Sequence, residues 1–119
     1  MSRGPRMTLQ TQMVLRQALV EPGREWYGLE MVLTTGLPTG TVYPIITRLE
    51  QAGWIESRWE TPAEQQAEER NARPRRRYYR LTKDGAENAR LALAKAHANR
   101  ATAPVPWGSL RPQTPGATP

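Results

Sequence analysis

Between Thr39 and Gly53 the chain admits one periodicity. Val42, Ile45, Ile46 and Leu49 fall at i, i+3, i+4 and i+7, so four aliphatic side chains share one face of a helix of about four turns and the other face is left free. That second face carries Gly40, Pro44, Thr47, Arg48 and Gln51, with Tyr43 on its flank. An ordinary surface helix carries Glu and Lys in such positions. A short helix anchored by aliphatics and showing small, hydroxyl, amide and guanidinium groups suits the major groove of DNA. Gly53 stops the helix in the left-handed cap position, and the chain turns at once into Trp54. Its start is open between two registers, because Pro44 has no N–H to give to an intrahelical bond. With Thr41 as N-cap the proline falls where that N–H is unused; with Thr39 as N-cap the helix carries a small kink.

Thr8 can cap an earlier helix running to about Val20 and ended by Pro22-Gly23. Leu9, Met13, Val14, Leu15, Ala18, Leu19 and Val20 wrap more than one of its faces. Either it meets a second surface beyond its own core, or it is a central helix buried on several sides. Trp26 to Leu33 reads as a short helix closed by Thr34-Thr35-Gly36, in which Gly28 permits close approach of a neighbouring backbone. Trp26 and Tyr27 are assigned to core or domain-edge packing. Leu37-Pro38 then makes the turn of a helix-turn-helix.

After Gly53 the period changes from 3.6 to 2. Ile55, Ser57 and Trp59 alternate with Glu56, Arg58 and Glu60, and a second strand from Arg75 to Leu81 alternates Arg77, Tyr79 and Leu81 with Arg76, Tyr78 and Arg80. Residues 61–74 between them are polar, with Pro62 and Pro74 near the ends, and read as the mobile tip of a hairpin. Its acidic first half would be repelled by phosphate, so the part from Arg70 to Arg77 is the part expected to approach DNA. One of Tyr78 and Tyr79 should pack on the core while the other is free to hydrogen-bond a phosphate. Thr82 and Asp84 mark the start of a last helix, Ala-rich from Ala86 to Ala101, in which Leu91 and Leu93 call for cover from a partner helix.

Tyr27-Gly28-Leu29-Glu30, then Gly40-Thr41-Val42-Tyr43-Pro44 with Arg48-Leu49-Glu50 and Gly53-Trp54-Ile55, then Arg77-Tyr78-Tyr79-Arg80-Leu81-Thr82 with Gly85, resemble the PadR family of bacterial transcriptional regulators over roughly residues 8–95. The resemblance implies a winged-helix DNA-binding domain, a homodimer made through N- and C-terminal helices, and repression relieved by a small molecule. The single C-terminal helix is similar to the short branch of that family, without a long C-terminal domain.

Composition sets the limits. In 119 residues, one domain with tails can be built: a basic, disordered arm at 1–7, a winged helix at 8–81, a dimerisation helix at 82–101 and a Pro-rich disordered tail at 102–119. Lys+Arg number 17 against 11 Asp+Glu, which points to a polyanionic partner. All but Lys83 and Lys95 of these cations are Arg, favouring bidentate contacts to phosphate or guanine. With no Cys, one His and one Asp, the chain offers neither a thiolate metal site nor an acid–base pair, and no phosphate-cradling glycine loop follows a strand. A non-enzyme without cofactor is expected. His97 is read as solvated, and Trp107 as either inconsequential or folded back over a groove. No membrane span or signal peptide is visible, and a cytoplasmic protein is the simplest reading.

The fold expected is therefore mainly α with a small β-hairpin, a winged helix-turn-helix followed by one dimerisation helix. Its expected partners are double-stranded DNA with a pseudo-palindromic operator, a second copy of itself, and a small aromatic or hydrophobic effector. DNA contact is assigned to Thr39, Thr41, Tyr43, Pro44, Thr47, Arg48, Arg75, Arg76, Arg77 and Tyr78, and dimerisation to Leu9, Met13, Leu91 and Leu93. The competing reading is a winged-helix module that binds another protein without reading DNA.

Overall fold

Thr8 opens the first helix as expected, its hydroxyl accepting the Thr11 N–H at 3.1 Å, and α1 runs Leu9–Leu19. These elements belong to a computed structural model, which describes residues 4–66 and 73–102. Val14, Leu15 and Ala18 of α1 are buried, while Leu9, Met13 and Val20 are exposed at i, i+4 and i+11 on another face. Among the described residues α1 is therefore not buried on several sides: it has one buried stripe and a second apolar stripe that those residues leave uncovered. Residues 4–7, expected to be part of a disordered arm, lie against the domain. Met7 packs on the core and its carbonyl accepts the side-chain amide of Gln12 at 2.9 Å.

Trp26 and Tyr27 do not begin the second helix. They form a short strand, β1 (Trp26–Tyr27), and α2 covers Gly28–Thr35. Aromatic residues favour a half-buried pleated surface, and Trp26 gains a stacked partner in Tyr79 at 5.4 Å between ring centroids. Gly36, at φ 77°, closes α2 with its N–H on the Val32 carbonyl at 2.9 Å, the left-handed position that glycine takes without strain.

The next helix, α3 (Thr39–Gln51), follows after residues 36–38. Neither Thr39 nor Thr41 is its N-cap. Pro38 occupies that position with its carbonyl accepting Thr41 and Val42 N–H groups at 2.9 and 3.0 Å. Pro44 therefore sits inside the helix, where its missing N–H leaves the Gly40 carbonyl without its i+4 donor. Val42, Ile45, Ile46 and Leu49 are all buried, as the spacing predicts. The end is a Schellman turn: Gly53 at φ 79° donates to Glu50 O and Trp54 donates to Leu49 O, each at 3.0 Å.

Beyond it, β2 (Ile55–Trp59) pairs antiparallel with β3 (Arg77–Leu81), and β3 also pairs with β1, so the sheet has three strands in the order β1-β3-β2 rather than the two of a bare hairpin. The second hairpin strand begins at Arg77, two residues after the expected Arg75, although Glu60 N–H still reaches Arg76 O at 2.7 Å. The segment expected to be a polar loop contains a helical turn, α4 (Pro62–Gln66). Thr61 and Glu64 form its capping box, with Glu64 N–H on the Thr61 hydroxyl at 3.2 Å and Thr61 N–H on the Glu64 carboxylate at 2.8 Å. The tip at 67–72, the first three residues and the tail with Trp107 lie outside the described residues.

Thr82 caps the last helix, α5 (Lys83–Thr102), its hydroxyl accepting the Gly85 N–H at 2.8 Å. A Cβ on Gly85 would stand 1.8 Å from the Trp54 carbonyl oxygen, so only glycine lets α5 start here. Ala86 and Ala89 are buried, and Ala92 and Leu93 rest against the core. From Ala94 to Arg100 every residue but Ala96 is exposed. Among the described residues no helix is long and apolar enough to cross a membrane, and no cluster of His, Cys, Asp or Glu could hold a metal ion.

Candidate nucleic-acid interface

Because α3 is anchored by its four aliphatics, the residues out of phase with them are presented to solvent. Thr39, Gly40, Tyr43, Pro44, Thr47, Arg48 and Gln51 are all exposed, and Thr41 is half-buried. Tyr43 owes its place to Gly28, where a Cβ would fall 2.4 Å from the phenol ring. The close approach anticipated at Gly28 is thus made by a side chain rather than by backbone, and it fastens α3 to the start of α2. Thr47 donates its hydroxyl proton to Tyr43 O at 3.0 Å, so outward it offers lone pairs and a methyl group. Those can accept from an exocyclic amine or touch a thymine methyl. Arg48 is exposed and its guanidinium, among the described residues, has no hydrogen-bond, ion-pair or ring partner.

The hairpin joins this surface through Glu50. Its carboxylate receives the Ser57 hydroxyl of β2 and lies 3.9 Å from Arg77 of β3. Ser57, Trp59, Arg77 and Tyr79 therefore share the sheet face that meets α3, with Tyr79 buried, whereas Arg58, Tyr78 and Arg80 share the outer face. The arginine run is divided accordingly. Arg75 and Arg77 stand over the Trp59 ring at 5.7 and 5.0 Å, while Arg76 covers Tyr27 at 4.2 Å. Tyr78 packs edge-on against Tyr27 at 6.0 Å beneath the Arg58 guanidinium. Arg75 and Arg77 are thus brought together on the helix side, and Arg76 and Tyr78 are not.

Three carboxylates fix the hairpin. Glu60, expected to alternate outward with Glu56 and Arg58, is 1% exposed. Arg73 clasps both its carboxylate oxygens at 2.9 and 2.8 Å, Arg76 N–H donates to it at 3.2 Å, and its carbonyl accepts the Arg75 guanidinium at 3.1 and 3.2 Å. The Arg73 hydrogen bonds hold its pKa down at about 2, against an ordinary 4.5. On the other face Arg58 bridges Glu25 at 2.7 and 2.8 Å and Glu64 at 3.0 Å. It keeps Glu25 below its ordinary pKa and Glu64 at about 2. Period-2 alternation misplaces Glu60 because it says nothing of the arginine cluster that encloses it. Trp59 is legible in the sequence only as a strand residue.

The residues assigned to dimerisation separate into two groups. Leu9, Met13 and Leu91 are exposed at 59%, 37% and 64%, whereas Leu93 is half-buried on the chain's own core. The helices that carry them, α1 and α5, meet where Arg100 donates to Gln12 at 3.4 Å.

Comparison with known proteins supports this description. No curated protein matches the chain. Among solved structures, a Streptococcus mutans protein is similar with a TM-score of 0.59 and 22% identity, over 86% of this chain and 89% of its own. A Clostridium thermocellum transcriptional regulator gives 0.55 and 21% over 76% and 84%, and a PadR family transcription regulator from Clostridium difficile gives 0.54 and 22% over 76% and 91%. At such identities the likeness establishes the winged-helix fold. Residues 18–91, most of the chain, match the description "Transcriptional regulator PadR-like family". The chain therefore belongs to the PadR-like family of transcriptional regulators.

Proposed function

We propose that the protein is a homodimeric, sequence-specific DNA-binding repressor that reads an operator through the exposed face of α3. The observation that carries this reading is Arg48: a guanidinium on an otherwise uncharged face, beside Thr47 and Tyr43, with no partner among the described residues. Unpaired and solvated, it is available to the O6 and N7 of a guanine, a contact that discriminates by about 1–3 kcal/mol. Arg75 and Arg77 lie on the same side of the molecule and are suited to flanking phosphates, which position the protein without specifying sequence. A two-fold dimer then requires a pseudo-palindromic operator with half-sites about one helical turn apart. The stripe Leu9, Met13 and Val20 on α1, together with Leu91 on α5, supplies apolar surface for the dimer.

A groove in the structure supports relief by a small effector. An open groove of about 730 Å³ runs between the N-terminal residues and α5, lined by Met7, Gln12, Trp54, Ala92 and Ala96. A small aromatic molecule bound there would touch α1 and α5, the helices proposed to form the dimer, and so would alter the spacing of the two reading helices.

Selection of bound duplexes from a random pool, with the mass in solution measured alongside, tests the reading. A palindromic consensus bound by a dimer is expected. Arg48→Ala should change which sequences are preferred. Arg75→Ala with Arg77→Ala should instead weaken all duplexes alike and flatten the log–log salt dependence by about one unit for each phosphate no longer neutralised. Unenriched pools, or an Arg48→Glu variant that binds as well as wild type, would leave a protein partner as the better account of this surface.

A further inference from the structure

Resting on that reading, we propose that Trp59 is itself a DNA contact, an aromatic platform at the base of the wing that packs on a deoxyribose while Arg75 and Arg77 hold the phosphates on either side. Trp59 ends β2 opposite Arg77 and faces the same side as Ser57, which is tied to Glu50 of α3. Trp59 is 52% exposed, a large apolar surface on a protein whose other described tryptophans, Trp26 and Trp54, are buried. Both neighbouring guanidiniums stand over the ring, at 5.7 and 5.0 Å, which restrains two long side chains; Arg77 also lies 3.9 Å from the Glu50 carboxylate, a long and half-exposed pair.

Arg75 in particular meets only neutral groups, the Glu60 carbonyl and the indole; no carboxylate lies within ion-pair distance of it among the described residues. Glu60 acts as a positioning residue, since the bonds that enclose it fix the backbone at residues 73–76 and hence the height of Arg75 above the ring. An exposed indole between two cations matches the alternation of sugar and phosphate along a nucleic-acid strand. A protein surface would present carboxylates to such a pair rather than a periodic apolar edge.

The experiment uses a duplex obtained by the selection above. In a Trp107→Phe background the titration should quench the Trp59 emission, and Trp59→Phe should abolish that change while binding nearly as tightly as wild type. Trp59→Ala should weaken binding about tenfold, the lower end of what an aromatic gains against a nucleotide, since a sugar offers apolar contact and no π face, with the salt slope reduced by less than about one unit because no cation is removed. Circular dichroism would establish that the variant is folded. If the wild type binds its duplex and Trp59→Ala binds equally well, or if the emission of Trp59 does not respond to saturating duplex, the inference is overturned and the platform belongs to some other partner. If the wild type binds no duplex, it is the underlying reading that fails.

Discussion

Two glycines carry opposite kinds of constraint, and their substitution should separate stability from recognition. At Gly85 an added Cβ meets backbone, the Trp54 carbonyl at 1.8 Å, and the strand cannot yield without moving the sheet; at Gly28 it meets the far end of the Tyr43 side chain at 2.4 Å, which can swing out. Gly85→Ala is therefore expected to lower the unfolding free energy by about 1–3 kcal/mol, as overpacking does, in a urea titration. Gly28→Ala should cost less than Gly85→Ala, because a side chain can yield where backbone cannot, yet weaken duplex binding, because Tyr43 loses its seat; equal stability losses would refute the distinction. A different single-residue effect appears in acid. Glu60 has its folded pKa at about 2, below the ordinary 4.5. A carboxylate depressed in this way contributes stability above its unfolded pKa and loses it as pH falls, so the loss belongs between about pH 4.5 and 2. Glu60→Gln should then be less stable than wild type at neutral pH and show a shallower decline in that window, with Glu25 and Glu64 supplying what remains. Parallel acid-unfolding curves followed by circular dichroism would show that Arg73 gains nothing from this carboxylate.

At the scale of elements, α3 is held by tertiary burial in spite of its own chemistry. Pro44 removes one intrahelical bond and Pro38 supplies no side-chain cap, yet the helix persists because Val42, Ile45, Ile46 and Leu49 are almost wholly enclosed. Pro44→Ala restores a donor to the Gly40 carbonyl and should raise stability by up to about 3 kcal/mol, the interior penalty of proline, measured by denaturant unfolding. If stability falls, the ring must be contributing packing that its exposure conceals. The same balance explains which elements are legible in the sequence. α3 and its glycine cap can be read because spacing alone dictates them, and Thr8 and Thr82 announce their helices by capping chemistry. The α4 turn is equally written in Thr61-Pro62-Ala63-Glu64, with proline at the first helical position and Glu able to close the capping box, but the polar composition of the segment gives it the look of a loop. β1 cannot be read locally: Trp26-Tyr27 is a strand because Tyr78 and Tyr79, far along the chain, offer it a ladder and a stacking partner. For the candidate site, the exposed face of α3 and the division of Arg77 from Arg76 follow from periodicity, while the placing of Trp59 beneath Arg75 and Arg77 depends on the pairing of Trp59 with Arg77 across the strands.

For the molecule as a whole, the tension is between a small core and an apolar surface that the described residues leave open. Leu9 and Met13 of α1, Val20 at its C-cap and Leu91 of α5 are exposed, while Leu93, on the same helix as Leu91, is already used by the core. Substituting these two leucines of α5 should therefore have different consequences. Leu93→Ala removes packing inside the subunit and should destabilise it by about 2–5 kcal/mol if the site cannot collapse, less where it can. Leu91→Glu combined with Leu9→Glu alters none of the buried core, so the folded subunit should keep its circular dichroism spectrum while sedimentation equilibrium shows a monomer. Separating the two reading helices converts the second half-site encounter from an intramolecular to a bimolecular event, which lowers affinity for the two-site duplex by about a hundredfold or more without altering the DNA-facing side chains. Affinity for an isolated half-site should stay unchanged. A double variant that remains dimeric would move the interface away from these faces, to the exposed Leu29 and Leu33 of α2, and with it the predicted half-site spacing.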